Sequence, residues 1–184
     1  YILDAAQGNI DQWVRSGEWE SSIPDSTGCY YRLYTCHDMH QLLTAYQTML
    51  HEYGSMKEYI RRNATTGIEA IEALCRFFSQ HGADKIIPKN TTSACKRVCM
   101  FLRWMVRTGS PVDLGLWADI IDRRTLIMPL DTHVVQEAQR MNLLQSRTAS
   151  MSTARRLTDT MLKIFPDDPL KGDFALFGLG VDNE

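Results

Sequence analysis

Apolar residues recur at three- and four-residue intervals along nearly the whole chain, and no stretch alternates cleanly for more than a few residues. That spacing predicts an all-α fold, in which each helix turns one apolar stripe inward. "YILDAAQGNIDQWV" reads as the exposed end of a helix and its exit, and "STGCYYRLY" as a loop or extended piece. Asp38 is placed to cap "MHQLLTAYQTMLHEYG", which Gly54 ends, and Ser55 to cap "MKEYIRR". "TGIEAIEALCRFFSQHG" is amphipathic and stops at Gly82, after which "ADKIIPKNTTSA" is a polar connection. Helices are then expected over "ACKRVCMFLRWMVR", "DLGLWADII", the stretch after Asp131, "STARRLTDTMLKIF" and the stretch after Asp173. No repeat or low-complexity segment interrupts them. Short helices with brief connections predict a compact multi-helix array, read as one domain over residues 1–184 or as two lobes flanking a cleft.

The helix from Lys96 carries the first candidate chemistry. Lys96, Met100, Arg103 and Arg107 fall on one side of it, while Val98, Cys99, Leu102, Met105 and Val106 fill much of the rest. A lysine in the first turn stands near the positive end of the helix dipole and beside bulky apolar groups. Both disfavour the ammonium and favour a neutral, nucleophilic amine. The competing reading is that Lys96 reaches solvent together with Arg103 and Arg107 as a hydrated face.

Asp131 carries the second. In "PLDTHV" it is a good N-cap for "THVVQEAQRM", whose inward face is expected to be Val134, Val135, Ala138 and Met141. Capping does not exclude chemistry. A carboxylate held ionised at a helix start can also orient an amine and stabilise a developing cation.

Composition narrows the rest. The chain has 184 residues, is 44% hydrophobic and carries a net charge of −2, enough to bury a core and too little positive charge to hold nucleic acid by bulk electrostatics. Six basic residues and no acid lie between Lys85 and Arg107, so a local positive patch fits a mildly acidic protein. No apolar run reaches the roughly 18 residues of a membrane span. Opening on Tyr1 rather than methionine suggests that a preceding segment is missing. Five cysteines, Cys29, Cys36, Cys75, Cys95 and Cys99, fit buried thiols in a reducing cytoplasm better than disulfides. Cys95 and Cys99 lack a third metal ligand, as do His37 and His40, so no metal or other cofactor is expected.

Together, "SACKRVCMFLRWMVR" and "PLDTHVVQEAQRMNLL" resemble the core of the helix-hairpin-helix/Gly-Pro-Asp superfamily of base-excision DNA glycosylases, which includes endonuclease III and the archaeal 8-oxoguanine glycosylases. There a lysine opens the second helix of the hairpin, matched by Lys96, and an aspartate caps a later helix, matched by Asp131. The chain resembles more closely a bacterial family related to that superfamily, which shares "SACKR", "PLDTHV" and "DPLKGDFALFGLG". The hairpin is degenerate: "IIPKNTTSACK" lacks the glycines that usually approach a phosphate, and no four-cysteine iron-sulfur loop follows.

The resemblance implies a monomeric DNA glycosylase and AP lyase acting on duplex DNA with an oxidised base such as 8-oxoguanine. Lys96 would be the nucleophile and Asp131 its assistant. Lys89, Arg97, Arg103 and Arg107 would contact phosphates, and Trp104 or Trp117 would stack on a base. The alternatives are a non-catalytic nucleic-acid-binding module of the same fold, or an interaction scaffold in which Lys96 and Asp131 form only an ion pair.

Overall fold

In a computed structural model that describes residues 2–173, 176 and 178, helix makes up 57% of the described residues and strand 4%. Contacts divide the chain into two compact units, Tyr1–Arg62 with Cys75–Lys89, and Asn63–Leu74 with Asn90–Glu184.

The first unit begins with three short helices, α1 (Ile2–Ala5), α2 (Ile10–Ser16) and α3 (Trp19–Ser22). The opening segment therefore holds two helices rather than one exposed helix end and its exit. Asn9 caps α2 by accepting the Gln12 N–H at 3.1 Å, and Trp13, Val14, Trp19 and Ile23 are buried with Leu43 and Leu50. Each such side chain contributes about 1.5–3 kcal/mol of transfer free energy.

The "CYYRLY" stretch is extended, forming a small antiparallel hairpin of β1 (Cys29–Tyr31) and β2 (Tyr34–Thr35). It leads into α4 (Cys36–Tyr53), whose cap is Thr35 rather than Asp38. The Thr35 side chain accepts the Asp38 N–H at 3.2 Å, and Asp38 accepts the Thr35 N–H at 2.7 Å. Asp38 is thus the third helical residue of a capping box, and it also receives Lys85 Nζ at 2.7 Å. Gly54 ends α4 at φ +77°, and Ser55 caps α5 (Met56–Asn63) by accepting the Glu58 N–H, as expected. Tyr53, Tyr59, Phe77 and Phe78 pack edge to face around the end of α6 (Gly67–Gln80).

The second unit contains the start of α6, then α7 (Lys96–Val106), α8 (Thr132–Arg140) and α9 (Met151–Ile164), with single 3-10 turns at Arg123–Thr125 and Pro169–Gly172. Gly67 opens α6 against backbone: an added Cβ would lie 2.5 Å from the Thr125 carbonyl oxygen and 2.9 Å from Leu126 Cα. Val134, Val135 and Ala138 are buried as expected, but Met141 is 51% exposed because α8 has ended by then.

"DLGLWADII" is a series of turns and not a helix. Leu114 N–H donates to the Trp104 carbonyl at 2.7 Å, and Trp117 N–H to that of Met105 at 2.7 Å. The segment is spent satisfying the last carbonyls of α7, and Gly115 makes the turn at φ +64°. Asp173 directly follows the second 3-10 turn; the helix expected after it, with Phe174, Phe177 and Gly180, lies outside the described residues.

Candidate functional site

Lys96 is the first residue of α7, and the residue before it sets its place. Cys95 takes a left-handed φ of +47° and supplies no side-chain cap. Its buried thiol lies 3.4 Å from the Asn90 carbonyl, and its N–H reaches Ser93 Oγ at 3.4 Å. Residues 81–95 are turns, so no helix among them leads tightly into α7.

Asp131 precedes α8 with an extended backbone, and its two oxygens have separate partners. Oδ1 accepts the Val134 N–H at 2.9 Å as a helix cap. Oδ2 accepts from Lys96 Nζ, across 35 residues of sequence. The lysine side chain is 43% exposed and the aspartate 20%. The amine therefore stands in a partly open ion pair rather than among the bulky apolar groups of its helix. Desolvation pushes the Asp131 carboxyl up, but the Lys96 and Val134 hydrogen bonds and the charges of Lys96 and His133 outweigh it and hold the group below its ordinary value. One carboxylate thus both caps a helix and grips the candidate nucleophile.

The other sequence candidates divide by burial. Arg97 and Trp104 lie exposed on α7, and Lys89 is exposed in the first unit. Arg103 and Arg107, expected to meet phosphates, are 2% and 6% exposed. Their partners are internal carboxylates. Arg103 pairs with Asp173 and, at 3.4 Å, with Asp113; Arg107 pairs with Asp113 at 2.6 Å and with Asp168 at 2.9 Å. The hydrated-face reading fails for both arginines for the same reason, and of the three only Lys96 reaches solvent. Trp117 is also withdrawn from a stacking role, being 4% exposed and edge-on to Phe101 with ring centroids 5.3 Å apart.

The sequence reading missed Asp113, Asp168 and Asp173 as a cluster. Two arginines at i,i+4 on a helix whose flanking positions are apolar were the available sign that they point inward. Burial raises the Asp173 carboxyl against the opposing effect of Arg103. A cleft of about 470 Å³ borders Arg107, Arg123, Phe165, Asp168 and Lys171; neither Lys96 nor Asp131 lines it.

All five cysteines are free, and burial pushes the Cys99 thiol up to about 12. Among the described residues no three His, Cys, Asp or Glu side chains gather to hold a metal, and no helix is long and apolar enough to cross a membrane.

No curated protein and no solved structure matches the chain. A family profile matches residues 2–182, nearly its whole length, and the chain belongs to the family described as "Protein of unknown function (DUF2400)".

Proposed function

We propose that the protein is a cytoplasmic DNA N-glycosylase and AP lyase that removes an oxidised base from duplex DNA, with Lys96 as nucleophile and Asp131 as its assistant. The observation carrying this reading is the contact of Lys96 Nζ with Asp131 Oδ2, while Oδ1 is fixed by the Val134 N–H. It joins the two residues that the resemblance to helix-hairpin-helix glycosylases singles out, and on that resemblance the fold is glycosylase-like with a degenerate hairpin.

Lys96 first loses a proton, which Asp131 accepts once DNA excludes water from the pair. The free amine attacks C1′ of the deoxyribose. The N-glycosidic bond breaks, and its electron pair leaves with the base, which takes up a proton. Opening of the sugar ring converts the C1′ amine adduct into a protonated Schiff base. Loss of a C2′ proton then expels the 3′ phosphate by β-elimination and cuts the strand. Asp131 passes the lysine proton to the departing base, and its restored negative charge stabilises the protonated Schiff base. Arg97 and Lys89 remain exposed for phosphate contact, and Trp104 for stacking.

The test is release of free base and strand cleavage on duplexes containing 8-oxoguanine, with Asp131→Asn beside the wild type. Both products from the wild type and neither from the variant are expected. The absence of glycines from "IIPKNTTSACK" favours one competitor, a nucleic-acid-binding module without catalysis. Duplex binding with no base released from any oxidised lesion would establish that reading instead.

A further inference from the structure

The cleft of about 470 Å³ lies where α7 and α9 end, and its whole lining belongs to the second unit. Its frame is fixed. Arg107, 6% exposed, is held by Asp113 and by both oxygens of Asp168. The Pro169–Gly172 turn is seated closely on the end of α9, because a Cβ at Gly172 would lie 3.0 Å from Met161 Sδ and 3.6 Å from Phe165 Cε2. That seating sets Lys171 Nζ over the Phe165 ring, 5.9 Å from its centroid. Arg123 Nε donates to the Asp167 carbonyl at 2.9 Å, which draws the guanidinium to the same cleft and leaves its two terminal nitrogens uncommitted.

The neighbouring carboxylates serve other arginines. Asp168 pairs with Arg107 at 2.9 Å and Asp122 with Arg124 at 2.5 Å. Asp167 gives Arg123 only its backbone carbonyl, and among the described residues neither Arg123 nor Lys171 has a carboxylate partner. Cations near helix ends commonly offset the dipole. Here the last carbonyls of α7 already receive the Leu114, Gly115 and Trp117 N–H groups, and Arg123 uses Nε alone for its carbonyl. An arginine fork beside a lysine ammonium is a donor set for an oxyanion with several charged oxygens. A single carboxylate would leave one cation unmatched, whereas a phosphate monoester carries close to two negative charges at neutral pH. The exposed Asp167 leaves the lining net positive. The volume falls within the range of small-ligand sites, about 300–1,000 Å³, so the esterified group has room beside Ile164 and Pro166.

We propose that this cleft binds a phosphate monoester, with Lys171 and the terminal nitrogens of Arg123 on the phosphate oxygens. The inference does not depend on the glycosylase reading, because Lys96 lies at the other end of α7, about 16 Å away. A free nucleotide and the 5′-phosphate of a DNA strand end present the same group.

Titration calorimetry of the protein with 5′-AMP, with adenosine, and with a single-stranded oligonucleotide bearing either a 5′-phosphate or a 5′-hydroxyl tests it. Lys171→Gln, Arg123→Gln and Arg123→Lys are compared with wild type, each first confirmed to melt as the wild type does. AMP should bind with a Kd below about 1 mM, and adenosine should not bind. Lys171→Gln and Arg123→Gln should each weaken AMP by about tenfold or more, and Arg123→Lys, which keeps the charge and loses the fork, should fall between them and wild type. Lys171→Gln decides the matter, because Lys171 makes no hydrogen bond to the rest of the described chain and its loss is a loss of charge. An affinity gain from the 5′-phosphate that exceeds the gain of AMP over adenosine assigns the site to strand ends, and the reverse assigns it to free nucleotides; either upholds the monoester site. No AMP binding up to about 10 mM, equal binding of AMP and adenosine, or an AMP affinity unchanged in Lys171→Gln would overturn it. Borohydride trapping at Lys96 is a separate readout, so the cleft and the glycosylase reading can each fail alone.

Discussion

Asp113 should be the most costly single carboxylate to remove from this protein. Its side chain is fully buried between Arg103 at 3.4 Å and Arg107 at 2.6 Å, in a cluster where two guanidinium groups face three carboxylates. Asp113→Ala would leave both arginines facing a void that water cannot readily fill. Removing one partner of a buried ion pair costs about 3–5 kcal/mol, a large part of the roughly 5–15 kcal/mol available to a typical domain. Asp113→Asn keeps the shape but loses the charge, and should fall between the alanine variant and wild type. Asp173→Asn should cost less, because burial already raises that carboxyl and the neutral amide resembles the form that burial favours. The sign of its pH dependence follows. A raised value in the fold means that the folded chain binds this proton more tightly than the unfolded chain. The contribution of Asp173 is therefore greatest at acid pH and falls as pH rises through the raised value, and Asp173→Asn removes that fall. Urea unfolding followed by circular dichroism across pH measures all three variants. A loss below about 1 kcal/mol for Asp113→Ala at neutral pH, the scale of a surface pair, would refute the claim that the cluster anchors this unit.

Gly67→Ala should destabilise the chain by about 1–3 kcal/mol despite the better helix propensity of alanine, because the new Cβ would meet the backbone of Thr125 and Leu126; chemical denaturation checks it. Asp131→Ala should cost about 1 kcal/mol through the lost cap, whereas Asp131→Asn should keep the cap and most of the stability, so thermal melts of the pair separate capping from chemistry. Asp38 is lowered to about 2, first by the Lys85 hydrogen bond and then by the Thr35 N–H. Its contribution is therefore present above its unfolded value and is lost as pH falls from about 4 through about 2. Lys85→Gln should flatten that loss, which acid titration of stability would detect.

What the sequence made legible was local. Gly54, Gly82, Ser55 and Asp131 end or begin helices where their own conformational and hydrogen-bonding preferences put them. Cap assignment failed at Thr35 because "TCHD" offers two capping residues three apart, and a capping box uses both. "DLGLWADII" has helical spacing, but its N–H groups bond to the carbonyls of α7, a choice made by tertiary contact. The arginine cluster depends on partners as far as 61 and 70 residues away, which no helical wheel displays. The same wheel cannot tell an arginine reaching water from one meeting a buried aspartate. The Lys96–Asp131 pair was proposed from residue types and the resemblance, and their contact depends on α7 and α8 starting side by side.

Borohydride trapping of the protein on abasic-site and 8-oxoguanine duplexes, followed by mass spectrometry of the adduct, tests the role of Lys96 most directly. The reduced DNA remnant should lie on the peptide containing Lys96, and Lys96→Gln should trap nothing while melting as the wild type does. A covalent adduct on another residue, or no adduct on DNA that the protein binds, would contradict amine catalysis and leave Asp131 as the cap of α8 and the ion-pair partner of Lys96.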